Sequence, residues 1–271
     1  MTLLAVALAL VGSLFFALGA ALQQFEAVGT GEEKPKMRAL LRKPRWLLGT
    51  VSIGGGAGLQ VVALDYGPLT VVQPVGVASL LFALPIAATL HKRRPERREL
   101  AAAAVVAAGL VGLVLMVPSA EGPARLDLPG VVLLLAITGA IAVFAILAAK
   151  TVPPTARAAL YAVSAGAMYG ATAVLMRVLV DDGWSQWYLY VPGVLVTALP
   201  GVVLLQRAYA AGHFGVSFAS LQVTDPFTAV VFGALLLGEP MPTGVVPVLA
   251  AAITVVGTFA LARTSPLERT T

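Results

Sequence analysis

The stretch "LQVTDPFTAVVFGALLLGE", residues 221–239, is an apolar run of membrane grade, yet it carries Gln222, Asp225 and Pro226 near its start. A carboxylate at the centre of a membrane helix costs about 2.5 kcal/mol or more. A residue that expensive calls for a cavity, a partner or a task. The surrounding chain confirms the setting. Of 271 residues, 59% are hydrophobic and only 11% are charged. Mean hydropathy is +0.91. A soluble domain is about one quarter charged. So much apolar surface does not fit into one water-facing core, and the chain reads as an all-α integral membrane protein.

Composition also excludes classes of chemistry. With no cysteine, thiolate nucleophiles, disulfides and zinc–cysteine sites are ruled out. His91 and His213 are too far apart in sequence to suggest a histidine metal cage. There is no HExxH or GxSxG motif and no pair of acids on one helical face, so an enzyme is not expected. Ser217, His213 and Asp225 share one predicted span, at spacings that do not build a catalytic triad. No cofactor is implied.

Twenty or so apolar residues cross a bilayer as a helix. That rule predicts nine spans: 3–24, 46–66, 68–90, 100–118, 130–149, 158–180, 187–207, 214–237 and 243–262. The opening stretch lacks a basic start and is too long for a leader, so it is read as the first span. With the N-terminus outside, 16 of the 18 Lys and Arg residues fall in cytoplasmic segments. The positive-inside rule therefore predicts N-out, C-in. It also accounts for the net charge of +5 through contact with anionic lipid heads, without a nucleic-acid partner. The excess of Arg over Lys and the Ala, Val, Leu and Gly bias suggest a GC-rich bacterium and its inner (plasma) membrane.

Two halves of the chain echo each other. "LTVVQP" (69–74) resembles "LQVTDP" (221–226), and "GSLFFALGAAL" (12–22) resembles "GAMYGATAVLM" (166–176). These matches pair spans 1–4 with spans 6–9. One extra crossing, span 5, inverts the second unit. The expected layout is a single transporter domain over 1–271, with repeat 1 at 1–118, a connector helix at 130–149 and repeat 2 at 158–264. Inverted repeats with interrupted helices are a mark of secondary transporters, whose solute site lies near the midplane.

Proline lacks an N–H, so Pro226 deprives the Gln222 carbonyl of its helical partner and Pro74 does the same to Thr70. Such backbone is tolerated only where it is buried in protein or lines a cavity. Both prolines are expected to break their helices at the site. Gln222 and Asp225 share a face, and Gln73 is the repeat mate of Asp225. The expected site joins Asp225, Gln222, Gln73, Gln60 and Thr70 in one polar cavity. Glutamines in membrane helices also serve as interhelical hydrogen-bond glue, the alternative for Gln73 and Gln222 and the favoured reading for Gln60 and Gln206.

The stretch 46–88, "WLLGTVSIGGGAGLQVVALDYGPLTVVQPVGVASLLFALPIAA", with "GAMYGATAVLMR" and residues 204–239 ending in Gly-Glu, resembles the drug/metabolite transporter superfamily. Within it the chain is similar to EamA-like proteins and to the NIPA-type magnesium branch. The resemblance implies a multi-pass carrier of a small organic solute or, in the NIPA-like alternative, of magnesium. In the first reading Asp225 couples solute to protons. In the second it is a metal ligand beside amide and carbonyl oxygens, which suits a cation that keeps several waters. A non-transporting membrane subunit is a third alternative, and a second copy of the chain is a candidate partner.

Other features have plainer readings. "GGGAG" (54–58) lacks the strand and Lys-Ser/Thr context of a phosphate loop, so close helix packing is expected there. Arg177 is placed to snorkel from span 6 or to act at a gate. "KMRALLRK" (36–43) reads as a short surface helix, and Trp184, Trp187 and Tyr188 as an interfacial aromatic belt.

Overall fold

A computed structural model describes residues 2–31, 35–67, 69–117 and 123–264, with the side chains of Thr2, Leu69, Thr70 and Gln73 outside that description. Among the described residues all regular structure is helical. Eight helices are long and apolar enough to cross a membrane: α1 (Thr2–Val28), α3 (Pro44–Tyr66), α6 (Arg97–Met116), α7 (Leu128–Ala148), α8 (Pro154–Asp181), α9 (Trp187–Ala210), α10 (Phe214–Leu237) and α11 (Val245–Thr264). A four-residue helix, α2 (Met37–Leu40), lies in the basic linker after α1. The chain is an all-α membrane protein. Its helices turn apolar flanks outward, as with Phe144 (68% exposed), Leu199 (63%) and Phe259 (68%). In a soluble protein such side chains would be a liability; against acyl chains they are at home.

The expected third span is not one long helix. Residues 69–90 form α4 (Leu69–Gly76) and α5 (Ala78–Leu90), joined at Val77. Pro74 lies inside α4, and the break falls just beyond it at Gly76–Val77. The junction tightens to three-residue bonds, Val77 N to Pro74 O at 3.2 Å and Leu80 N to Val77 O at 3.1 Å. Its loose carbonyls face a single donor on α1. The Ser13 hydroxyl lies 3.0 Å from Val75 O and 3.4 Å from Gly76 O, besides its bond to Ala9 O. Open backbone at this depth is thus satisfied by protein.

Pro226 behaves differently, and the expected break there is corrected. α10 is continuous through it. Proline removes one donor, but the flanking bonds survive when neighbouring helices hold the segment. Here α8 provides that support. A Cβ on Gly170 would lie 2.6 Å from the Asp225 carbonyl oxygen, and one on Gly166 would lie 3.0 Å from its N. Two glycines one turn apart therefore let α8 press on the backbone of α10 beside the proline.

Small residues set the other contacts as well. Gly12 and Gly19 of α1 meet Gly56 and Gly49 of α3 almost backbone to backbone, and Gly257 of α11 meets Val106 of α6. α1 packs along α3 and α5, α8 packs along α9 and α10, and α6 lies along α11. The bundle has two ends of opposite character. One carries the basic segments 36–45 and 91–98 and is called the basic end. The other carries Asp65, Asp127, Asp181, Asp182 and Glu239 and is called the acidic end.

Candidate functional site

A cavity of about 580 Å³ opens among α1, α3, α4–α5, α6, α8 and α10. Its lining runs from the middle of α10 to the acidic end. Gln60, Ser79, Gln222 and Asp225 supply the inner polar surface, and Arg177 and Glu239 supply the mouth. Between them the wall is apolar, built from Leu110, Val114, Val174 and Val230.

Each polar group has a local reason for its place. Gln222 and Asp225 follow one another on the cavity face of α10 at helical spacing. The Gln222 amide donates to the Ser79 hydroxyl at 2.9 Å, so the α10 wall is tied to α5 just past the break. Gln60 reaches the same break. A Cβ on Gly76 would lie 3.0 Å from its Nε2, so glycine there leaves room for the amide. Asp225 is half-buried, and no Lys or Arg among the described residues is ion-paired with it.

The mouth is built by the end of α10. Gly238 adopts φ 69°, a left-handed cap that favours glycine. Glu239 then turns back, its N–H bonding Gly233 O at 3.1 Å. Gly233 must also be small, since a Cβ would lie 2.5 Å from Glu239 Oε2. The carboxylate so placed pairs with Arg177, Nη1 to Oε1, while Arg177 Nε lies 3.6 Å from Asp181. Arg177 thus spans α8 and the cap of α10 at the rim of the cavity.

Of the residues expected from sequence, Asp225, Pro226, Gln222 and Gln60 come together on this cavity. Thr70 and Gln73 fall in α4, but their side chains lie outside the described residues, and Pro74 is not part of the lining. Sequence reasoning missed Ser79 and the Arg177–Glu239 pairing. Ser79 carries no periodic or charge signal, and the ion pair joins residues 62 positions apart. No group of three or more His, Asp or Glu side chains among the described residues could hold a metal ion. Among the described residues Ser217 bonds no imidazole: its hydroxyl proton is shared between the carbonyls of Ala208 (3.1 Å) and His213 (3.0 Å), while His213 Nε2 faces Thr155 Oγ1.

The GGGAG run serves packing only at Gly55 and Gly56, which touch Phe15, Phe16 and Gly12; Gly54 and Gly58 face open space.

No family model and no solved structure matches the chain. An uncharacterized protein of Corynebacterium glutamicum is 31% identical to it, over 98% of this chain and 96% of the relative. That similarity extends from end to end, cavity helices included, and the chain belongs to the same family as this corynebacterial protein.

Proposed function

We propose that the protein is a secondary transporter of a small organic solute, of the drug/metabolite superfamily, coupled to protons through Asp225. The observation that carries this reading is the half-buried Asp225, free of a cationic partner among the described residues, facing a 580 Å³ cavity beside two amides and a hydroxyl. Such a carboxylate can hold a proton or a positively polarised solute group, one at a time, and that exclusion is what couples the two fluxes. The apolar wall suits the body of an organic solute.

In this reading the α4–α5 pair completes a ninth crossing. It runs from the acidic end after Gly67 to the basic end at Leu90. The inverted repeat then pairs α1, α3, α4–α5 and α6 with α8, α9, α10 and α11, and α7 is the connector. Matching neighbourhoods support it: the first helix of each unit packs along its second and third, and the two fourth helices pack on each other. The basic end is cytoplasmic by the positive-inside rule, which leaves the N-terminus and the cavity mouth outside.

Reconstitution in proteoliposomes tests the proposal. With an imposed proton gradient and a panel of small organic solutes, solute-dependent proton movement is expected, and Asp225→Asn should abolish it while the protein stays monodisperse. Solute flux that ignores the proton gradient would remove the coupling role. A Mg²⁺-sensing dye in the same vesicles reads the NIPA-like alternative, and Asp225-dependent Mg²⁺ entry without solute would replace the organic-solute reading.

A further inference from the structure

At the basic end, opposite the cavity mouth, three buried polar side chains form a chain of hydrogen bonds across the bundle. The indole Nε1 of Trp46, on α3, donates to Gln206 Oε1 on α9 at 3.1 Å. Gln206 Nε2 donates to Gln23 Oε1 on α1 at 3.0 Å. Gln23 Nε2 donates to Thr50 Oγ1 on α3 at 3.1 Å. Gln206 is 1% exposed, Trp46 4% and Gln23 6%. Next to Gln23, the Gln24 amide oxygen meets His91 Nε2, at the end of α5, at 2.9 Å. The chain is the polar layer of an otherwise apolar seal. Two of the helices that carry it, α1 and α9, share an apolar core with Ala83, Leu205, Tyr209, Phe214 and Phe218, in which Phe214 and Phe218 stack at 5.5 Å.

We infer that the Gln23–Gln206–Trp46 clasp is the gate that closes the basic end while the cavity is open at the acidic end. The inference rests on the transporter reading above. Three observations carry it. The cavity lining includes no residue from the basic end of any helix. The clasp links α1 and α3 to α9, which belong to opposite halves of the chain. Its groups are also chemically suited to opening. Amides and an indole N–H that part at a wetted seam exchange protein partners for water at little net cost, whereas apolar faces of the same size would resist exposure. A permanent seal between α1, α3 and α9 would be served as well by leucine and alanine, as at Ala20, Ala21, Leu204 and Ala208 of the same helices. Closing at one end and opening at the other then becomes a choice between two sets of cross-half contacts, with the clasp made in the outward-open state and broken in the inward-open one.

Site-specific labelling tests this, because the chain contains no cysteine and a single introduced thiol has no background. Ala83 lies one turn from Ser79 toward the basic end and is 0% exposed. Val114 lines the open cavity. Ala83→Cys and Val114→Cys would each be made alone and again with Gln206→Ala, and treated with a membrane-impermeant maleimide in vesicles of each sidedness. With the clasp intact, Val114→Cys should label from the acidic side and Ala83→Cys should resist label from the basic side. With Gln206→Ala, labelling of Ala83→Cys from the basic side should rise about tenfold or more, and labelling of Val114→Cys should slow, as the population shifts between two states. Trp46→Phe removes a single donor and keeps an aromatic, apolar side chain, so it should shift both rates the same way by less, even if Gln206→Ala folds poorly. Unchanged labelling of Ala83→Cys in both clasp variants would overturn the inference. So would a rise at both positions together, which marks loosened packing. Because labelling needs no substrate, reciprocal shifts without any solute flux would support the clasp and tell against the transport reading instead.

Discussion

Gln222 of α10 donates its amide to the Ser79 hydroxyl of α5 at 2.9 Å, across 143 residues of sequence. This bond fixes the inner wall of the cavity, since α5 begins at the break after Pro74 and α10 carries Asp225 one turn from Gln222. Ser79→Ala should remove it at a cost of about 0.6–2 kcal/mol, the range for hydrogen bonds between membrane helices. Thermal unfolding in detergent should show a small loss of stability. Under the proposed function, solute flux should show a larger loss, as a raised KM, because the freed Gln222 amide no longer holds one orientation in the cavity.

Gly170 is where α8 crosses the backbone of α10. Gly170→Ala drives a methyl to 2.6 Å from the Asp225 carbonyl oxygen. The two helices must separate, and overpacking of this kind costs about 1–3 kcal/mol. Gly58→Ala is the control, since nothing lies within 4 Å of its Cβ position. That substitution should be neutral or slightly stabilising, because alanine favours the helix. Melting curves of the two variants side by side check the contrast.

Two arginine ion pairs should differ sharply in worth. Arg93 grips Glu99 with both terminal nitrogens, Nη1 at 2.9 Å and Nη2 at 3.1 Å, and the Glu99 side chain is 0% exposed. Arg93→Ala strands a buried carboxylate and should cost about 3–5 kcal/mol. Arg177 is 36% exposed at the cavity mouth, where water screens the pair. Arg177→Ala should cost less than about 1 kcal/mol. Under the proposed function its effect should appear in solute flux instead, as a changed preference for solute charge. Denaturation in detergent and flux assays separate the two kinds of loss.

His91, just past the end of α5, should make the fold acid-sensitive. Burial, and then the nearby Arg93 charge, hold its pKa below the ordinary 6.5. The unfolded chain therefore binds a proton at a higher pH than the folded one. Between the folded pKa and 6.5 the unfolded state carries more protons, so stability rises with pH through that window and is lost on acidification below 6.5. Replacing the group with His91→Gln should flatten the decline in melting temperature between neutral and mildly acidic pH. An identical pH profile in both proteins would assign the effect to another group.

How much of this was legible in the sequence depends on the range over which each signal acts. Hydropathy and breaker residues are local, so the membrane class and the limits of the long helices were readable: α3, α6 and α10 begin and end within a few residues of their expected bounds. Charges sort along the chain, so the basic and acidic ends were also readable. The two prolines were not. Pro74 and Pro226 look alike in sequence, yet the helix parts only near Pro74. There Gly76 yields and the Ser13 hydroxyl reaches the loosened Val75 carbonyl, whereas Gly166 and Gly170 of α8 brace the backbone at Pro226. Asp225 and Gln222 announced themselves as polar groups in an apolar run. Ser79, the Arg177–Glu239 pair and the Gln23–Gln206–Trp46 chain did not, because each joins side chains 62 to 183 residues apart. Local pattern determines which segments enter the membrane; only the packing of helix on helix decides which polar groups meet there, since an unpaired one would cost too much to remain buried.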